Sequence, residues 1–300
     1  LRTQHKRQPI PTIYDWYEWY KKQLTASSLI AFLIALFKYY VHIALNVLIF
    51  IKNLPKRTLH YMTSPILITG AGQRIGLALA QHYLTQGQKV IITYRTRHDA
   101  VEKLAQQGVT CIHADFSTDA GINEFINTLK AHTQSLKAVI HNASSWDCEA
   151  NNPDHAKLFD NMMRIHAKTP YLINMQCADL LLAYQQASGA AADIVHLTDY
   201  VVETGSPKHL AYAASKGALD NLTKSFSAKY APNIKVNAVA PSLIIFNEHD
   251  DEQYRAKTLK KSLMGIEPGC QEIINSIDLL LQSQYITGRS IPVDGGRHLK

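Results

Sequence analysis

No two cysteines in this chain have CxxC spacing: Cys111, Cys148, Cys177 and Cys270 stand alone. That pattern excludes a zinc ribbon and a dithiol redox motif, and it fits a reducing, cytoplasmic compartment better than a disulfide framework. A basic excess is missing from most of the chain. Residues 1–63 hold nine Lys and Arg against two acids, which accounts for the whole formal charge of +7, and residues 64–300 carry 22 basic and 22 acidic groups. Without a basic surplus the larger part has no electrostatic footprint for nucleic acid. Metal is not expected either. His249, Asp250, Asp251 and Glu252 run together in "FNEHDDEQYR", which reads as a solvated loop, and nothing else supplies convergent ligands.

Methionine is absent before Met62, and Met62 stands three residues ahead of the first strand-like run. Residues 1–61 are therefore expected to be upstream reading frame or a non-native extension, the rivals being a membrane-associating anchor and a soluble helix. The segment does contain "LIAFLIALFKYYVHIALNVLIFI", residues 29–51, long enough as a helix to reach ~35 Å. Lys38, His42 and Asn46 interrupt it every four positions. Such a polar stripe suits a helix lying in an interface or packed on a partner better than a lone span. The preceding "YDWYEWYKK" has the look of an interfacial aromatic belt with basic anchors. The expected organisation is an N-terminal extension, 1–62, with a hydrophobic helix at 29–51, and one globular domain, 63–300.

From residue 65 onward, short β-rich runs alternate with helix-length segments. Strands are expected at 65–69, 89–94, 109–114, 136–143, 193–198 and 234–240. Helices are expected at Ile75–Gln86, Asp119–Thr133, Leu158–Ala187, His209–Tyr230 and Gly269–Gln282. Apolar strands in regular βα alternation indicate an α/β, doubly wound parallel sheet of Rossmann type, which places ligands at the carboxyl ends of its strands.

The first strand runs into "TGAGQRIG", residues 69–76. A glycine turn opening a helix presents amide N–H groups and the positive helix end to an anion, which suits a dinucleotide pyrophosphate. Arg74 stands inside the turn where a small residue is expected; the alternative is an exposed arginine at a helix start. The second strand ends in "TYRTR", with Tyr94, Arg95 and Arg97 and no acid. Arginine suits a 2′-phosphate where an acid would take a ribose hydroxyl, so NADP is favoured over NAD, unless both arginines are merely solvated. Asp115, Asn142 and Ala143 fall on the same sheet edge, although Asp115 could equally cap the helix that follows.

In "YAASK", Tyr212 and Lys216 are four apart and share a helical face. A lysine beside a phenol favours phenolate and lowers its pKa, preparing tyrosine for proton exchange. Thirteen residues earlier, "DIVHLTDY" ends its apolar run on Asp199, a carboxylate that is costly at a strand mouth unless it is solvated, hydrogen-bonded or used in chemistry.

With "HNAS", "VNAVAPS" and "ITGRSIPVDGG" added to these motifs, nearly all of residues 63–300 resembles the short-chain dehydrogenase/reductase family. Two departures, Asp199 where the family usually has serine and Arg74 before "IG", are shared with its pteridine reductases. The resemblance implies that Asp199 and Tyr212 deliver a proton to a pterin ring, and that Lys216 binds the nicotinamide ribose. Arg74 would lie near both pyrophosphate and pterin, with Ser144 beside the substrate. Gly70, Ile75 and Gly76 in the turn, and Pro241 after the sixth strand, complete the implied cofactor contacts. The implied activity is NADPH-dependent reduction of a dihydropterin, 7,8-dihydromonapterin, with weaker action on dihydrofolate, in a homo-oligomer that is commonly tetrameric. Two alternatives stay open: a reductase of another carbonyl or quinone, and a non-catalytic NADP-binding sensor, against which the intact Tyr-Lys pair argues. His166 occupies the position where many family members have an asparagine whose backbone holds a relay water. A backbone role survives that change, and a buried packing histidine is the other reading.

Overall fold

The computed structural model describes residues 33–34, 36–46 and 64–300. The chain divides into two compact units, Leu1–Pro55 and Lys56–Lys300. In the first, residues 33–34 and 36–46 are helical, and apolar Phe37 is exposed along with Lys38, His42 and Asn46. The aromatic and basic stretch at 14–22 and the outer parts of 29–51 lie outside the described residues. Among the described residues no helix is long and apolar enough to cross a membrane.

The second unit is built on a seven-stranded sheet in the order β3-β2-β1-β4-β5-β6-β7, with every pairing parallel. The strands are β1 Ile66–Ile68, β2 Val90–Tyr94, β3 Thr110–His113, β4 Ala138–His141, β5 Ala192–Leu197, β6 Ile234–Pro241 and β7 Ser290–Val293. Alternation along each strand feeds two separate cores. Ile66, Ile68, Ile92 and Ile140 face a layer formed by α1 (Arg74–Thr85), α2 (Asp99–Gln106) and α10 (Gln271–Gln282). Leu67, Ile91 and Val139 face the opposite layer, to which α3 (Asp119–His132), α5 (Thr169–Gln176), α6 (Ala178–Ser188) and α8 (Leu210–Tyr230) contribute. Order reverses between β1 and β4, and that switch point opens the crevice that the sequence pattern anticipates.

The expected helix over 158–187 is broken into α4 (His155–Met163), a π turn (Arg164–Lys168), α5 and α6. Pro170 has no N–H to offer the His166 carbonyl four residues back, so the ladder widens. There the Thr169 amide and hydroxyl both reach back to the Arg164 carbonyl. Three helices were not expected from the pattern: α2, the short α7 (Val201–Thr204) and α9 (Glu252–Leu259). Asp251, read as part of a solvated acidic loop, caps α9 by accepting the Tyr254 N–H at 2.7 Å. The cap of α3 is Thr118, not Asp115, whose carboxylate instead accepts the Ser117 N–H at 2.9 Å.

Phe125 on α3 is 1 % exposed and meets Phe116 edge to face at 5.4 Å. Phe125→Ala should lower unfolding free energy by ~3–5 kcal/mol in a denaturant titration at unchanged slope. A loss below ~1 kcal/mol would mean that this layer repacks without a cavity.

Candidate active site

The turn after β1 is shaped by its neighbours. Thr69 Oγ1 accepts the amides of Asn142 at 3.1 Å and Ala143 at 3.0 Å, locking β1 to β4 at the switch point. Asn142 Nδ2 donates to the carbonyls of Thr69 (3.0 Å) and Gly70 (2.8 Å), so this side chain supports the turn from below. Gly70 adopts φ +64°, and an added Cβ would lie 2.7 Å from Ala143 Cα. At Gly76 a Cβ would meet Asn142 Nδ2 at 2.5 Å and the Gly70 carbonyl at 2.7 Å. Both glycines are required by close approach of backbone rather than by turn formation alone.

A cleft of about 790 Å³ lies over this turn. Gly70, Ile75 and Gly76 line it beside Tyr94 and Arg95; Asp115, Asn142, Ala143 and Ser144 form the far wall. Arg74 holds φ +54° and reaches across, donating to the Ile245 carbonyl at 3.0 Å and to Asn247 Oδ1. It thus ties the helix start to the segment after β6. Arg97 does not line the cleft: its guanidinium is engaged with both carboxylate oxygens of Glu102. Pro241 ends β6 outside the lining, and its carbonyl accepts the Tyr200 N–H at 3.0 Å.

Asp199, Tyr212 and Lys216 also lie outside that lining and cluster where β5 ends and α8 begins, Tyr212 and Lys216 buried and Asp199 half-buried. The Tyr212 hydroxyl donates to Asp199 Oδ2 at 2.8 Å, while Asp199 Oδ1 accepts the Val201 N–H at 3.0 Å. Burial raises the Asp199 pKa, and burial together with the neighbouring carboxylate pushes Tyr212 well above the ordinary phenol value. Lys216 Nζ donates to the Leu197 carbonyl at 2.8 Å, and burial lowers its pKa to about 8. The expectation that Lys216 favours a phenolate has no direct contact behind it. Its ammonium sits 5.6 Å from the Tyr212 ring centroid, whereas the group in direct contact with the hydroxyl is an acid.

A family model described as enoyl-(acyl carrier protein) reductase, of the short-chain dehydrogenase type, matches residues 70–298. The chain belongs to the short-chain dehydrogenase/reductase family. This reductase is 57 % identical over 235 residues to a dihydromonapterin reductase from Enterobacter sp. (strain 638), covering 78 % of this chain and 97 % of that one. Among solved structures it is similar to FolM alternative dihydrofolate reductase 1 from Brucella canis complexed with NADP, at 24 % identity and TM-score 0.69, over 82 % of this chain and 97 % of the other. It is likewise similar to acetoin dehydrogenase from Enterobacter cloacae, at 27 % identity and TM-score 0.68, over 79 % and 96 % of the two chains.

Two features of the reductase's site escaped the pattern. Trp146 follows the β4 edge, lines the cleft, is 63 % exposed and packs against the His209 ring at 4.6 Å. The only hint was its place at the end of "HNASSW". Glu149 accepts the Ala211 N–H at 2.8 Å and so caps the helix that carries Tyr212, a long-range contact with no local signature.

The glycine cradle and the arginine at the end of β2 fit a phosphorylated dinucleotide. Of the two arginines, Arg95 is the one in position, so Arg95→Ala should weaken NADPH ~10–100-fold, as loss of a charge-assisted contact does, and leave NADH little changed. Arg97→Ala should do much less. Equal effects of the two substitutions on NADPH and NADH, measured by fluorescence titration, would contradict this assignment.

Proposed function

We propose that this chain reduces 7,8-dihydromonapterin to tetrahydromonapterin at the expense of NADPH, with weaker activity on dihydrofolate. The observation that carries the reading is the Tyr212–Asp199 hydrogen bond, a carboxylate where the family usually places a serine. Its likeness to a dihydromonapterin reductase over most of both chains supports the same substrate. Reducing the C6=N5 imine requires a hydride at C6 and a proton at N5. NADPH, when bound, supplies the hydride.

The protein's own task is then to hold the ring and deliver the proton. Trp146 offers an exposed aromatic face at the cleft mouth, Ser144 a hydroxyl on its wall, and Arg74 a cation beside the phosphate-binding turn. Both Asp199 oxygens accept, one from the Val201 N–H and one from the Tyr212 hydroxyl, which suits the deprotonated form of the pair. Losing the phenolic proton from that form would put two anions 2.8 Å apart. With one further proton on Asp199, favoured by its raised pKa, the pair protonates N5 and returns to the observed arrangement. Lys216, protonated below about 8, keeps a positive charge near both groups during that transfer. The proton is replaced from solvent, so the balance is one NADPH and one proton consumed per imine reduced.

A homo-oligomeric, cytoplasmic form belongs to the same reading. It is supported by a hollow of about 740 Å³ between α4, α5 and α8, lined by Met163, Tyr171 and Leu222 among others, and by four free thiols. The rival, a reductase of small ketones, draws support from the likeness to acetoin dehydrogenase.

Residues 62–300, assayed by NADPH oxidation, should turn over dihydromonapterin fastest, dihydrofolate more slowly and a diketone least. Turnover of the diketone alone would replace the pterin reading by the rival. Tyr212→Phe should lower kcat by ~10²-fold or more, because the general acid is lost; near-normal turnover would remove tyrosine from the mechanism. The working form of the pair carries the extra proton, so kcat is full below the raised Asp199 pKa and falls as pH rises through it. A second fall is expected near pH 8 as Lys216 loses its charge. A rate that instead climbs with pH over this range would contradict the assignment.

A further inference from the structure

Between the cleft and the helix that carries Tyr212 lies a buried imidazole. His166 sits in the π turn, 1 % exposed, with its ring edge-on to Tyr212 at 5.3 Å. Its Nε2 is 2.8 Å from Ser144 Oγ and 3.3 Å from the Ser145 amide nitrogen, and its Nδ1 is 2.8 Å from Ser215 Oγ. Ser215 Oγ in turn donates to the Tyr212 carbonyl at 2.7 Å.

Counting hydrogens fixes every partner in this chain of contacts. An amide N–H only donates, so Nε2 presents a lone pair to Ser145. Ser215 has one hydroxyl hydrogen and gives it to the Tyr212 carbonyl, so the hydrogen between Nδ1 and Ser215 belongs to the imidazole. His166 is therefore the neutral tautomer protonated on Nδ1. Burial, with the Lys216 ammonium adding to it, holds its pKa well below the ordinary value, in keeping with that state. The single lone pair of the bare Nε2 is shared: the Ser144 hydroxyl hydrogen takes it at 2.8 Å with the Ser145 N–H as the longer partner at 3.3 Å, since the other acceptor within reach of Ser144, the Ser145 carbonyl, stands at 3.5 Å. What Ser144 has left for the cleft it lines is lone pairs.

We propose that His166 is a positioning residue that fixes the polarity of Ser144, so that this hydroxyl meets the substrate as an acceptor and selects a ring N–H or amino group over a carbonyl or phosphate oxygen. The inference rests on the dihydropterin reading for its ligand, because a pterin carries such donors along its amide and amino edge. The same imidazole, through Ser215, holds the backbone of the residue that delivers the proton. One side chain thus couples the grip on the substrate to the placement of the acid.

The two halves of this bridge come apart by substitution. His166→Asn keeps a donor near the Nδ1 position and loses the acceptor for Ser144. His166→Gln keeps an acceptor near Nε2 and loses the donor to Ser215. In His166→Asn, KM for dihydromonapterin should rise about 10-fold with kcat little changed, the scale of one lost hydrogen bond. In His166→Gln, KM should stay near the wild-type value while kcat falls. Ser144→Ala should abolish the KM effect of His166→Asn, because both act through one hydroxyl. Equal losses in both variants, or additive effects with Ser144→Ala, would overturn the proposal.

A second measurement needs no turnover. Nitrogen-15 NMR of histidine-labelled wild-type protein near neutral pH, with His166→Asn identifying the signal, should show a protonated Nδ1 and a bare Nε2. A proton on Nε2 overturns the inference even if pterin is reduced. Absence of dihydromonapterin turnover with the Nδ1 proton in place would instead strike the substrate reading and leave the tautomer standing.

Discussion

A carboxylate at the end of a buried strand is tolerable only if its oxygens are satisfied, and in this protein two donors meet that need. The Val201 amide and the Tyr212 hydroxyl each take one oxygen of Asp199, so the cost of burying the acid is offset by the groups that define the site. Much else is arranged around that contact. Lys216 is anchored one turn further along the same helix by the Leu197 carbonyl, two residues before Asp199. Glu149 caps the start of the helix, and the His166–Ser215 link grips it at Tyr212. The acid, the phenol and the ammonium therefore share one rigid frame made from β5 and α8.

The other half of the site follows from topology. Reversal of strand order between β1 and β4 leaves a crevice, and the glycine turn fills its floor with backbone instead of side chains. Asn142, just past β4, holds that floor from one side, and Thr69, just past β1, ties it to the Asn142 and Ala143 amides. Ser144, three residues past the end of β4, lies where the two halves meet: it lines the crevice and bonds to His166. The glycine turn and the Asp199–Tyr212 pair are thus connected through a single short segment after β4.

Much of this was legible in the sequence, because its signals are local. Six strands announce themselves as apolar runs, and the glycine turn and the Tyr-Lys spacing each need only a few adjacent residues. The seventh strand did not, since Ser290–Val293 is short, half-exposed and contains Pro292. The long helix at 158–187 read as continuous because apolar periodicity carries across Pro170, while the backbone does not. Arg97 looked equivalent to Arg95 until Glu102, five residues on, claimed it. Lys216 read as the group that tunes Tyr212, because the pattern places them on one face. Distance and burial gave that contact to Asp199, whose approach depends on how β5 and α8 pack, which no spacing rule encodes.

In the proposed mechanism Asp199 stores the proton which the pair delivers. Asp199→Asn tests it most directly, since the amide oxygen still accepts from Tyr212 while the side chain no longer carries a titratable proton. The single-turnover rate of dihydromonapterin reduction should fall by ~10²-fold or more, as for loss of a general acid, with NADPH affinity retained and the fall in rate through the raised Asp199 pKa abolished. A wild-type rate in Asp199→Asn with the pH dependence intact would contradict it.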